Sequence, residues 1–253
     1  MPQVGIFNNW MEGYGLNPTF NRVTILNTGR NLKEYHWFED FITYPATNSI
    51  QQGSCLTAYW NGAGAAMAHL AALAARPGVV NMGTGTTAGG YCSFISSFTL
   101  ASSGFLFGGG EYTFEGDIYL PDLSTLAEEF DVQFGWSDVY GAATDGVYFI
   151  YDRNTSLNWY AVTANNAART STDSAVAVVE DAWIRLKIIV NATGTSVAFY
   201  IDDVLVATNV LNIPIVAGRN TSLNVNIRKS AGVTSRSLYV DWLWYHHDLT
   251  ASR

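Results

Sequence analysis

Two cysteines, Cys55 and Cys92, are all that the 253-residue chain carries, and they have no metal-type spacing. They either pair in an oxidising setting or stay free as small core residues, and free thiols are the preferred reading. Charge is also scarce, at 13% of residues, and unbalanced, with a formal net charge of −8. Thirteen Lys and Arg spread thinly leave no electrostatic footprint for nucleic acid and little attraction to anionic membranes. No stretch reaches the roughly 18 consecutive apolar residues of a membrane span, so no membrane insertion is expected. The opening "MPQVGIFNNWMEGYGLNP" lacks a basic region followed by an apolar run, so it is not read as a signal peptide. Asn-x-Ser/Thr matches at Asn154, Asn191 and Asn220 are read as chance in a Thr- and Asn-rich chain. No Gly-x-Ser-x-Gly, His-Glu-x-x-His or phosphate-loop sequence occurs, and Gly108-Gly109-Gly110 is a turn with no Lys and helix after it.

Aromatic residues and glycine are plentiful: 8 Trp, 14 Tyr, 13 Phe and 23 Gly. That mixture suits β-structure with many turns and argues against disorder. The length allows one large all-β domain or two small ones. From "HWFEDFITYP" onward, short alternating runs are separated by turn signals every eight to twelve residues, as in a sandwich or barrel. "EYTFEGDIYL" puts Tyr112, Phe114, Gly116 and Ile118 on one face and Glu115 and Asp117 on the other. "FDVQFGWSD" sorts Phe130, Val132 and Phe134 from Asp131, Gln133 and Gly135. In "VDWLWYHH", Trp242 and Trp244 fall on one face with Leu238 and Val240, which predicts the last strand of the core. Residues 62–78, "GAGAAMAHLAALAARPG", have the composition of a helix instead. Residues 1–35 differ from the rest, with scattered aromatics and only Arg22 to Leu26 strand-like. They read as an extended arm docking on a neighbouring subunit through Phe7, Trp10, Tyr14 and Phe20, or as strand and loops of the main domain at 36–253.

"WIRLKIIVNATGTSVAFYIDDVLVAT" resembles the back-sheet core of concanavalin A-like lectin and glucanase domains. Asp203 stands where that family usually has glycine, so a looser turn after Ile201 is expected. More narrowly, "FEDFI", "RPGVVNMGTGTTAGG", "TDGVYFIYDRNTSLNWYAVT", "TDSAVAV", "LNIP" and "SRSLYVDWLWY" resemble structural proteins of tailed bacteriophages with that fold. The resemblance covers residues 36 to 250. It implies a concanavalin A-like jelly-roll sandwich, and it implies strand or loop in place of the local helix at 62–76.

Within that resemblance the carboxylates can be weighed. Glucanases of this fold use Glu-x-Asp-x-x-Glu, or one spacer fewer, with nucleophile and acid/base about 5–5.5 Å apart. Glu115 and Asp117 fill the first two places, but positions 119 and 120 are Tyr119 and Leu120. The expectation is therefore a solvated strand face and no catalytic residue. Lyases of this fold need a Tyr or His base with Arg and Gln; His36, His69, His246 and His247 lie in no such pattern. His246 and His247 are adjacent, so they point to opposite faces and form no ligand pair. No metal or cofactor is expected; Asp138, Asp145, Asp152 and Asn154 match no calcium loop. Tyr148, Tyr151, Trp159 and Tyr160 are the candidate stacking platform for a sugar, although alternation sends every second one inward.

The reading that follows is a non-enzymatic virion structural protein on the particle surface. A head decoration protein is the first expectation, and a tail-fibre or baseplate protein binding host surface glycan the second. A glycan-cleaving enzyme of the glucanase branch is the third. Other capsid or tail proteins are the expected partners, with closed homo-oligomeric assembly as a trimer.

Overall fold

A computed structural model of the protein describes residues 33–41, 56–70, 75–96 and 104–251. The arm residues Phe7, Trp10, Tyr14 and Phe20, the strand-like run 22–26 and Cys55 lie outside the described residues. Within them the chain is all-β, in two antiparallel sheets.

The eight-stranded sheet is built around β6 (Gly110–Tyr119) and β15 (Ser237–Leu249). On the β6 side come β11 (Trp183–Val190), β12 (Val197–Ile201) and β13 (Val204–Asn209). The far edge of β15 is shared along its length. Its first half pairs with β4 (Val80–Gly83), which continues to β3 (Ala66–His69), and its second half pairs with β1 (Glu34–Glu39). The expected arm–domain boundary at 35/36 therefore falls inside a strand. The seven-stranded sheet runs β10 (Ala168–Ala177), β9 (Asn158–Asn165), β8 (Gly146–Asp152), β7 (Phe130–Ser137), β14 (Ser222–Lys229), β5 (Tyr91–Ile95) and β2 (Thr57–Asn61).

In β6 and β7 alternation places the core residues as the sequence predicts. Phe114 of β6 and Phe134 of β7 stack across the sheets, centroids 4.5 Å apart, beside Trp136. Leu186, Ile188 and Val190 of β11 and Val132 of β7 are fully buried around them. No helix appears at 62–78 among its described residues. The Ala-rich composition favours helix locally, but pairing of Met67 with Met82, and burial of both, decides for strand. The turn after Ile201 is tighter than expected: Ile201 pairs with Val204 across only Asp202 and Asp203, both at positive φ. That backbone suits a two-residue hairpin, and Asp202 accepts the Arg185 amide at 2.9 Å, which offsets the missing glycine. Cys92 is a free, fully buried thiol, and burial pushes its pKa up, so it is chemically quiet.

Two positions yield direct predictions. Gly135 sits within β7 at φ +147, and a Cβ there would lie 2.4 Å from the Val147 carbonyl oxygen. Gly135→Ala should lower stability by about 2 kcal/mol, read as a shift in urea midpoint. The second is the fully buried Lys229, whose ammonium donates to the Thr234 carbonyl at 2.6 Å and pairs with Glu128 at 3.2 Å. Burial works against ionised Glu128, yet the Val233 and Thr234 amides, the Thr234 hydroxyl and Lys229 hold its pKa at about 2. With the folded value below the ordinary 4.5, this clamp contributes stability above about pH 4.5 that is lost as pH falls through about 2. Glu128→Gln should be less stable than the native protein at pH 7, and the difference should shrink on acidification to pH 2 in paired denaturation curves.

Candidate functional site

The outer face of the eight-stranded sheet departs from the expected pattern at one residue. Val240 pairs with Ile118, but Trp242, not Asp241, pairs with Asp117. This β-bulge inserts one residue into β15 and reverses the alternation beyond it. Leu238 and Val240 stay in the core, while Trp242 and Trp244 turn outward beside Asp117 and Glu115. The predicted placement of both tryptophans with Leu238 and Val240 is therefore corrected. Phe38 of β1 pairs with Trp244, is 41% exposed, and is stacked against Trp242 at 6.1 Å with the ring planes 29° apart. Phe38, Trp242, Trp244 and Glu115 line an open recess of about 390 Å³.

The carboxylates below this aromatic shelf are not solvated, contrary to the expectation for that face. Glu115, with its side chain 12% exposed, pairs with Lys187 at 3.4 Å and Arg185 at 3.8 Å. Burial pushes its pKa up, Lys187 and Arg185 pull it back, and Asp203 adds to the rise. Asp203 joins the same cations, at 2.9 Å from Arg185 and 2.7 Å from Lys187. The Arg185 guanidinium also lies 5.8 Å from the Trp242 ring centroid. Asp117 is tied to Arg76 at 2.6 Å, and the bulge residue Asp241 contacts the same guanidinium nitrogen. Arg76 is in turn stacked 4.0 Å over Trp183. Burial pushes the pKa of Asp241 up, with Arg76 opposing and Asp117 and Asp40 reinforcing. β15 brings Asp241 beside Asp117 on this face, but both aspartates are committed to Arg76. Position 119, where glucanases would place an acid/base, holds Tyr119, stacked on Tyr239 at 5.3 Å and donating to Asp181 at 2.8 Å.

The four aromatics proposed as a platform divide between two environments. Tyr151 and Trp159 are fully buried in the inter-sheet core, where the Ser124 amide donates to the Tyr151 oxygen at 3.2 Å. They cannot form a platform. Tyr148 and Tyr160 lie on the outer face of the seven-stranded sheet, lining a pocket of about 160 Å³ with Asp131, Asp152, Arg169 and Arg228. Even there Tyr148 is covered, together with Ala143 and Val162. The loop at 138–145 lies over this face: the Gly141 amide donates to the Gln133 side-chain oxygen at 3.1 Å, and the Gln133 amide donates back to the Gly141 carbonyl at 3.3 Å. Asn224 and Asn226 each donate to the same Gln133 oxygen at 3.1 Å. Burial raises the Asp131 pKa to about 6, against the pull of Arg228 at 3.0 Å. The chain's own loop thus occupies the polar centre of this face. The calcium candidates serve local structure: Asp138 accepts the Thr144 amide, Asp145 the Asn166 amide and Asp152 the Asn154 amide.

The model of the family described as SO2946-like, C-terminal domain, matches residues 75–241. The chain belongs to that family. No curated relative matches this SO2946-like sequence. Its fold is similar to that of SO2946, a protein of unknown function from Shewanella oneidensis MR-1, with TM-score 0.65 and 15% identity over 90% of this chain and 92% of that one. It is also similar to an endo-1,3-β-glucanase from Streptomyces sioyaensis, with TM-score 0.53 and 10% identity over 83% and 94% of the two chains. A third likeness is to the metal-free carbohydrate recognition domain of Emp46p, with TM-score 0.53 and 9% identity over 84% and 95%. At such identities the likeness shows the fold, which is the concanavalin A-like sandwich. Its neighbours include both an enzyme and a carbohydrate recognition domain, so the SO2946-like chain's own residues must carry any distinction between them.

Proposed function

We propose that this SO2946-like chain is a non-catalytic, glycan-binding structural module carried on the surface of a phage particle. The observation that supports glycan binding is the outward shelf of Phe38, Trp242 and Trp244, with Glu115 in the lining of its recess and Lys187 and Arg185 paired to that carboxylate. Flat aromatic rings with a polar edge offer a sugar an apolar face to stack on and hydrogen-bond partners for its hydroxyls. Against hydrolysis stands the engagement of Glu115, Asp117 and Asp241 by Lys187, Arg185 and Arg76. A retaining mechanism needs one free nucleophilic carboxylate and one protonated partner across a glycosidic bond. The virion setting rests on the segments that resemble phage structural proteins. Of the two virion roles, adsorption to a host glycan uses such a shelf and decoration of a head does not require one, so adsorption is the role we favour.

Gold-labelled antibody on intact particles tests the setting. Label at tail tips is the expected result; label over heads would return the decoration role, and no label on any particle would remove the virion reading. The enzymatic alternative is tested by incubating the protein with polysaccharides and following new reducing ends. None should form, and turnover abolished by Glu115→Gln would establish the hydrolase instead.

A further inference from the structure

Pairing of β1 with β15 sets His36 directly opposite His246, with Glu34 two residues earlier on the same face. The two imidazoles lie 4.3 Å apart and within 21° of parallel. Glu34 Oε1 is 2.8 Å from His36 Nε2 and 3.5 Å from His246 Nε2. One ligand atom from each of the three residues falls within 4.8 Å of the other two. Trp244 stacks beside the rings on the same face, 5.8 Å from His246 and 5° from parallel, and 6.2 Å from His36. His246 Nε2 is buried and makes no hydrogen bond. The adjacency of His246 and His247 hides this arrangement in the sequence. His247 does turn away, to the Tyr245 hydroxyl at 2.7 Å, but His246 finds its partner on the other strand.

We infer that Glu34, His36 and His246 form a binding site for a divalent transition-metal ion, with Zn²⁺ the best match. Two imidazole nitrogens and one carboxylate oxygen suit zinc and its neighbours, whereas Mg²⁺ and Ca²⁺ take oxygen donors. Bonds of about 2.0–2.1 Å to a tetrahedral ion place donor atoms roughly 3.3–3.5 Å apart. The Glu34–His246 pair already has that separation and the exposed Glu34 side chain can adjust to His36, while the two near-parallel rings must turn about their side-chain bonds for their in-plane lone pairs to meet at one ion. Three protein ligands leave one coordination position for solvent. An ion bound here would tie β1 to β15 and stabilise the folded state in proportion to its occupancy. The site does not depend on the glycan reading.

The test uses the full chain, free of any histidine tag and stripped with chelator. Calorimetric titration with ZnCl₂ should show one equivalent bound, accompanied by a rise in Tm. Co²⁺ should give visible d–d absorption of a tetrahedral site, and Mg²⁺ and Ca²⁺ should leave Tm unchanged. Glu34→Gln, His36→Gln and His246→Gln should each weaken zinc binding by about tenfold or more. The solvent-exposed Glu34→Gln guards against a loss that merely reports unfolding. No zinc binding at about 1 mM, or affinity unchanged in both histidine variants, would overturn the site.

Discussion

Trp244→Ala should weaken binding of the cognate glycan by about thirtyfold or more, roughly 2 kcal/mol, while leaving the protein folded. Trp244 is half-buried at the centre of the shelf, paired with Phe38 on one side and Glu115 on the other. Removing its indole takes away the floor of the recess without opening the inter-sheet core, because its side chain points out of the sandwich. Truncations of central aromatic residues give the largest losses in binding surfaces generally. Tyr59→Ser serves as the control: Tyr59 is 48% exposed on the outer face of the other sheet, stacked on Tyr91 at 5.9 Å. A glycan that binds the shelf should not register its loss. Weakening by Tyr59→Ser with Trp244→Ala unaffected would move the site to the seven-stranded sheet.

The largest effect on stability is expected from Phe114→Ala, at about 3–5 kcal/mol. Phe114 is fully buried, stacked 4.5 Å from Phe134 and 5.7 Å from Trp136. It therefore joins the two sheets at their centre, where a cavity cannot be filled by small shifts of either sheet. Domain stabilities of about 5–15 kcal/mol leave little margin for that loss, and Tm should fall by about 10 °C or more. Phe38→Ala is the comparison, since Phe38 is half open to solvent and its removal should cost about 1 kcal/mol. Thermal melts of the two variants separate the core aromatic from the shelf aromatic. A Phe114→Ala protein as stable as Phe38→Ala would mean that the sheets are not joined as described.

Strand alternation made the core legible in the sequence. Phe114, Phe134, Leu186 and Val132 all point where a period of two places them, because both faces of each sheet impose opposite demands on neighbouring residues. The shelf was not legible for the same reason. "YVDWLWYHH" alternates without interruption, and nothing local marks Asp241 as an inserted residue; only the register against β6 reveals it. The clusters at Arg76 and at His36–His246 depend on residues far apart in the chain, 165 residues for Arg76 and Asp241, so no spacing rule could have found them. That positions 119 and 120 hold Tyr and Leu was readable, whereas alternation shows only that every second member of the Tyr148–Tyr160 group turns inward, and all four are candidates on sequence alone. In the Ala-rich segment composition points to helix and the resemblance to strand or loop; propensity is local, and the pairing of Met67 with Met82, which is not, decides for strand at Ala66–His69.

One measurement bears most directly on the claim of non-catalytic glycan recognition. Immobilised protein would be offered a panel of polysaccharides, and the retained sugar recovered and sized, for the native chain beside a Trp242→Ala, Trp244→Ala double variant. Retention of a glycan at unchanged chain length, lost in the double variant, is the expected result. Recovery of shortened chains, or binding that survives the double substitution, would contradict it.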